Sequence, residues 1–216
     1  MQSPTSAGGN FNGVAPAYDA LTFAVFRRRL QRAQVVFLDQ IPPDSSVLMV
    51  GGGTGWLLEQ VLTRCRPKQV IYLDTSAQMV ARASRRIIQN AVPGSIDFRV
   101  NDESVLSPND QFDVILAPFI LDLFSAQTLQ NQLIPRLHNA LKINGFWLVT
   151  DFVQPRSWWQ RILLWAMIHF FRFTAGIEAR QLADWQRLLR EAGLIRQQQQ
   201  HQLDGMVSAE VWTRHP

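Results

Sequence analysis

Apolar residues recur at helical spacing over 19–40, at Leu21, Val25, Phe26, Leu30, Ala33, Val36 and Phe37, until Pro42 and Pro43 end the pattern. This predicts an amino-terminal helical cap. Residues 1–12, rich in Ser, Gly, Asn and Pro, predict a flexible tail, because they bring little apolar area to offset the entropy of ordering. Beyond Pro43 the pattern alternates: it predicts strands over 47–50, 70–73, 96–100, 112–117 and 146–152, with helices beginning near Trp56, Ser76 and Ser125. Such alternation implies a parallel sheet covered by helices on both faces. The last stretch departs from it. A helix over 181–192 stops at Gly193, and strands over 194–202 and 206–213 flank a turn at Asp204-Gly205, so an antiparallel hairpin closes the sheet.

The 216 residues, 47% hydrophobic and 18% charged, suffice for one domain with a substantial core. A single cysteine, Cys65, cannot form an internal disulfide, and neither paired thiols nor closely spaced histidines offer a metal-ligand set, so no metal and a reducing compartment are expected. Lys and Arg exceed Asp and Glu by 21 to 17. The densest basic group, Arg27, Arg28, Arg29 and Arg32, falls on the predicted cap helix and reads as a solvated face, so nucleic acid is not an expected partner. The first residues lack the basic flank and apolar run of a secretion signal, and no segment reads as a bilayer span, so a cytoplasmic protein is expected.

The segment VLMVGGGTGW places Gly51, Gly53 and Gly55 at alternate positions where a strand gives way to a helix. A tight turn needs one glycine; three let the backbone and a helix N-terminus approach a bound molecule. A dinucleotide fingerprint would need its third glycine at position 56, which is Trp56, so a nicotinamide-dependent oxidoreductase is the disfavoured alternative. Asp74 ends the second strand about twenty positions beyond Gly51, the spacing at which an acid in such sheets meets a ribose. Asp74 also suits a helix cap, but Thr75 or Ser76 can supply the cap and leave its carboxylate free.

The GxGxG loop, with FDVILAPFILDLF, LKINGFWLVTDF and the terminal EAGL run, resembles the class I S-adenosylmethionine-dependent methyltransferases over most of the chain. The resemblance implies a Rossmann-like, seven-stranded, mostly parallel sheet with a C-terminal antiparallel hairpin, helices on both faces and an N-terminal helical cap. It divides a single domain, 13–216, into a cap (13–43), a donor-binding core (44–152), a lid insertion (153–180) and a closing helix and hairpin (181–216). The donor it implies is S-adenosylmethionine, leaving S-adenosylhomocysteine. The donor-binding positions it implies are Gly51, Gly52, Gly53, Thr54 and Gly55, then Asp74, Thr75 and Met79, then Asp102 and Glu103, and finally Ala117 and Pro118. Relatives usually carry Asp or Glu where this chain has Met49. Either backbone carbonyls and water hold the donor's ammonium group, or the chain binds the donor without catalysis. FNGVAPAYD, residues 11–19, resembles the start of ubiquinone and menaquinone biosynthesis methyltransferases, where Tyr18 could set its ring against a sulfonium or simply pack at a helix entry.

SWWQRILLWAMIHFFRF, residues 157–173, concentrates three of the seven tryptophans and three phenylalanines. Part of it must pack in the core. The remainder fits a lid over a small apolar or aromatic acceptor, the favoured reading, or an interfacial membrane contact, or a homodimer surface. If the acceptor must lose a proton, the candidate bases are Asp122, Asp151 and His169. Each has a plainer role available: a helix-start cap, a strand-end acid, and a polar group on an apolar helix.

Overall fold

The computed structural model describes residues 27–107 and 109–214. Its centre is a seven-stranded sheet: β1 (Ser46–Val50), β2 (Gln69–Asp74), β3 (Ile96–Val100), β4 (Phe112–Pro118), β5 (Leu141–Phe152), β6 (Leu194–Gln202) and β7 (Val207–Arg214). The strand order is β3-β2-β1-β4-β5-β7-β6. All pairs from β3 across to β5 are parallel, and β7 runs antiparallel to both β5 and β6.

The central strands run apolar through their middles, over 47–50, 70–73 and 114–117, because both faces are covered there. Leu48 and Val50 face one cluster with Ile71, Leu73, Ile115 and Trp147, packed by the helical run α4 (Ala126–Thr128), α5 (Ile134–Ala140) and by α7 (Trp185–Glu191). Val47 and Met49 face the other with Val70, Tyr72, Val114 and Leu148, packed by α2 (Trp56–Cys65) and α3 (Ala77–Gln89). A third cluster joins α1 (Arg27–Gln34), through Leu30 and Ala33, to Leu164 of α6 (Trp158–Ala175), with Phe152 and Met206 between them.

Several elements depart from the sequence pattern for identifiable reasons. Over 19–40 the described helix ends at Gln34, tight turns follow, and a 3-10 turn (Leu38–Gln40) places Leu38 and Ile41 in the second cluster. The helix after Ser125 is interrupted by a π-helical turn (Leu129–Leu133), just before Pro135, which lacks the amide that a regular helix would use. β5 starts at Leu141 rather than 146 and runs through Gly145, where a side chain would collide with the carbonyls of Phe112 and Asp113, so that glycine is a strand contact, not a turn. The expected helix over 181–192 forms only from Trp185, because the Asp184 side chain accepts from the Arg187 amide and starts it there. The hairpin turn takes in Leu203 as well as Asp204 and Gly205, all left-handed, so β7 begins at Val207.

Trp185 ties the closing helix to the sheet: its ring is buried and its Nε1 donates to the Phe152 carbonyl at 2.7 Å. Trp185→Ala should lower the unfolding free energy by about 3–5 kcal/mol, and Trp185→Phe by about 1–2 kcal/mol through the lost hydrogen bond. Urea titration monitored by far-UV circular dichroism measures both.

Candidate functional site

The strand order reverses between β1 and β4: the chain builds outward from β1 through β2 and β3, then returns to set β4 on the other side of β1. In open sheets of this kind the crevice at such a reversal, beyond the carboxyl ends of the strands, is where ligands bind. The glycine loop leaves β1 there. Gly51, Gly53 and Gly55 all adopt left-handed backbone, φ +69°, +62° and +80°. A Cβ on Gly55 would stand 2.7 Å from the Cα of Ala83, so this glycine lets α2 begin against α3. Among the described residues a Cβ on Gly53 would meet nothing within 4 Å, so no described side chain covers the backbone there.

Gly53 is held from below by two side chains of β2. The Tyr72 hydroxyl donates to its carbonyl at 2.6 Å, and its amide donates to Asp74 Oδ2 at 3.1 Å. The two side chains share a face because strand positions two apart do. Asp74 Oδ1 accepts from the Ser76 amide at 2.9 Å, and Ser76 caps α3 by accepting from the Met79 amide at 3.3 Å. A carboxylate offers about four acceptor positions, so two remain on Asp74 among the described residues, the number that a vicinal diol would fill. Burial pushes the Asp74 carboxyl up to about 6, against the opposing bonds from Ser76 and Gly53. Burial, reinforced by the Asp74 charge, raises the Tyr72 phenol well above its usual range and keeps it a donor. Tyr72 went unnoticed in the sequence. The available signal was a lone hydroxyl inside an apolar strand, which requires a buried partner.

The other candidates divide between the crevice and elsewhere. Thr54 lies in the glycine loop, its carbonyl accepting from Arg86 Nε at 3.1 Å; Thr75 and the buried Met79 stand at the start of α3. Asp102 follows β3 and accepts from the Ser104 amide at 2.8 Å, whereas Glu103 is buried in an ion pair with Arg136 at 2.9 Å. Ala117 and Pro118 end β4 and are buried, and Phe119 then takes left-handed backbone (φ +50°) as its amide donates to the Thr150 carbonyl at 2.7 Å. Ile120 follows, its Cδ1 only 2.6 Å from where a Cβ on Gly51 would stand.

Asp151 and Asp122 come together. Asp151, fully buried at the end of β5, accepts from the Leu121 amide at 2.8 Å and the Asp122 amide at 3.4 Å, and so pins the loop after β4. The two acidic side chains lie close enough to influence each other electrostatically. Burial raises both carboxyl groups, and repulsion from Asp122 raises Asp151 further. His169 does not join them: it is exposed on α6, its Nδ1 2.9 Å from the Trp165 carbonyl and its ring 4.2 Å from that of Trp165. Tyr18 lies outside the described residues.

Residues 47–145 match a family model described as a methyltransferase domain. The malonyl-[acyl-carrier protein] O-methyltransferase 2 of Ilyobacter polytropus is 25% identical over 145 residues, 66% of this chain and 52% of its own. The chain thus spans about half the length of that curated relative. Among solved structures, Burkholderia thailandensis 1,6-didemethyltoxoflavin-N1-methyltransferase, with bound 1,6-didemethyltoxoflavin and S-adenosylhomocysteine, superposes with a TM-score of 0.66 at 14% identity, over 100% of this chain and 94% of its own. The N-methyltransferase NodS of Bradyrhizobium japonicum, in complex with S-adenosylhomocysteine, gives 0.63 at 16% identity over 89% of each chain. At these identities the likeness is one of fold.

Gly53→Ala should cost about 1 kcal/mol, the strain of a left-handed alanine, whereas Gly55→Ala should cost about 2–4 kcal/mol because its methyl group also meets Ala83. Equal losses in thermal and urea unfolding would refute the distinction. The acidic pair carries a pH signature. A carboxyl raised in the folded state contributes stability that is complete below about pH 4 and is lost as pH rises through its folded value. Asp122→Asn removes the repulsion on Asp151, so unfolding free energy should fall less steeply between pH 4 and 7 in this variant than in the natural chain.

Proposed function

We propose that the chain transfers a methyl group from S-adenosylmethionine to a small apolar or aromatic acceptor; the reading is supported by the match of residues 47–145 to a methyltransferase-domain model and by the fold shared with a methyltransferase solved with S-adenosylhomocysteine. The observation that carries this reading is the open flank of Gly53 beside the Asp74 carboxylate, at the point where the strand order reverses. The residues present fit the donor. Asp74 accepts from both ribose hydroxyls with its two remaining acceptor positions, and the bare backbone at Gly53 lets the nucleoside approach. Thr75, Met79 and Asp102 border the adenine. Met49 is fully buried in the core, so β1 offers the donor's ammonium group no carboxylate at that position, and backbone carbonyls of the loop hold it instead.

When bound, S-adenosylmethionine supplies a methyl group activated by its sulfonium. The chain's contribution is alignment and exclusion of water. Phe119 and Leu123, from the loop after β4, pack with Leu163, Met167 and Phe170 from α6, and all are only partly buried. They make the acceptor side apolar, which is why a flat aromatic or isoprenoid-like molecule suits it. An acceptor hydroxyl must also lose a proton, and the Asp122–Asp151 pair takes it at this end of the sheet, with Asp122 Oδ1 buried and, among the described residues, without a hydrogen-bond partner. The buried Met49 also favours a second reading, a protein that binds the donor or its product without catalysis.

S-adenosylhomocysteine should raise the melting temperature, by the equivalent of about 2.7 kcal/mol at a hundred times its Kd, and NAD should not. Asp74→Ala should weaken S-adenosylhomocysteine about a hundredfold through two lost charge-assisted hydrogen bonds. Protonation of Asp74 removes the acceptor, so affinity measured by calorimetry should fall roughly tenfold from pH 7.5 to pH 5. Unchanged affinity in Asp74→Ala would mean the ribose lies elsewhere. Binding without transfer of a labelled methyl group to any of a panel of apolar acceptors would select the second reading.

A further inference from the structure

Helix α6 has two apolar faces. One, with Leu164, Ile168 and Phe171, is buried in the protein. On the opposite side Trp158, Ile162, Trp165 and Phe173 recur every three to eight residues and stay 73%, 58%, 61% and 92% exposed among the described residues. Large apolar side chains gathered in one exposed stripe mark a surface that something covers. By helical geometry Arg161 and Arg172, eleven positions apart, share one flank of this stripe, and both are exposed.

We propose that this outer face of α6 docks on an anionic lipid surface, with the helix lying flat in the interface. Charge identifies the occupant. Residues 153–183 carry Arg156, Arg161, Arg172 and Arg180 against one acid, Glu178, whose carboxylate already accepts from the Thr128 hydroxyl at 2.7 Å. Helix α1, which shares a buried cluster with α6, exposes Arg28, Arg29 and Arg32; of these Arg29 has Asp204 at 4.0 Å, an exposed pair of little strength. A second copy of the chain would bring this cationic border against itself, whereas anionic headgroups complement it. The tryptophans point the same way, since an apolar ring with a polar N–H suits the headgroup boundary. Among the described residues no helix is long and apolar enough to cross a membrane, so α6 can lie on a bilayer but does not span it.

The inference does not depend on the donor site, and its test reads binding alone. The full chain is mixed with vesicles of phosphatidylcholine containing phosphatidylglycerol, or of phosphatidylcholine alone, and floated on a density gradient. Flotation is expected with the anionic vesicles only and should be lost at high salt. Arg161→Gln with Arg172→Gln should weaken association about thirtyfold, each charge contributing about fivefold. Trp158→Ser with Trp165→Ser and Phe173→Ser should abolish it while the circular dichroism melt is retained. Equal binding to both vesicle types, or to neither, overturns the proposal. So does a dimer in light scattering that the triple variant dissolves, which would assign the face to a second copy. Acrylamide quenching closes the remaining route: if Trp158 and Trp165 are protected in a lipid-free monomer, the chain covers this face itself and the proposal fails.

Discussion

Everything at the crevice depends on how one residue, Gly53, is held on both its amide and its carbonyl. Gly53 has its carbonyl fixed by the Tyr72 hydroxyl and its amide fixed by the Asp74 carboxylate, both from the buried strand β2. The loop is therefore anchored on its inner side and bare on its outer side, which a loop satisfied only by its own backbone could not be. The same two bonds define the electrostatics. Asp74 is buried enough to be raised toward neutrality yet bonded enough to remain largely ionised at neutral pH, and Tyr72 is kept protonated by burial and by that charge.

The second wall of the crevice is positioned by an equally buried acid. Asp151 grips the amides of Leu121 and Asp122, which sets the loop after β4 and brings Ile120 beneath Gly51. The two loops that border the crevice are thus tied to adjacent parallel strands on either side of the reversal in strand order. A chain with no acid at Met49 thus still presents a built glycine loop. The loop's shape comes from three left-handed glycines and from Tyr72, Asp74 and Ile120, and Met49 belongs to the core beneath.

Helix α6 connects the crevice to the outside. Its inner side chains pack against Phe119 and Leu123, at the exit of β4, while its outer stripe of tryptophan, isoleucine and phenylalanine is framed by arginine. On the proposed readings, one helix would both border the acceptor side and carry the outer apolar stripe. The short edge region beyond it is managed by polarity: β6 carries the glutamine run, and Glu210 of β7, buried, gathers bonds from Ser208, Gln199 and Gln186.

Much of this was legible in the chain itself. Period-two and period-3.6 patterning placed all seven strands to within a few residues, because burial on one or both faces selects side chains by their position along the local axis. The alternate glycines at 51, 53 and 55 announced the loop, and their left-handed angles are the reason those positions are glycine. Asp74, read as a ribose ligand rather than a cap, ends β2 with its carboxylate on the Gly53 and Ser76 amides, and Ser76 takes the cap. What periodicity could not report were relations between residues distant in the chain. Tyr72 as the anchor of Gly53, Asp151 as the clamp of the loop after β4, Glu103 drawn into its pair with Arg136, and His169 turned outward all follow from strand order and helix packing. The stretch over 157–173 shows the limit most sharply. Apolar on nearly every side, it carries no amphipathic signal to say which face is buried, so only the surface it packs against could choose.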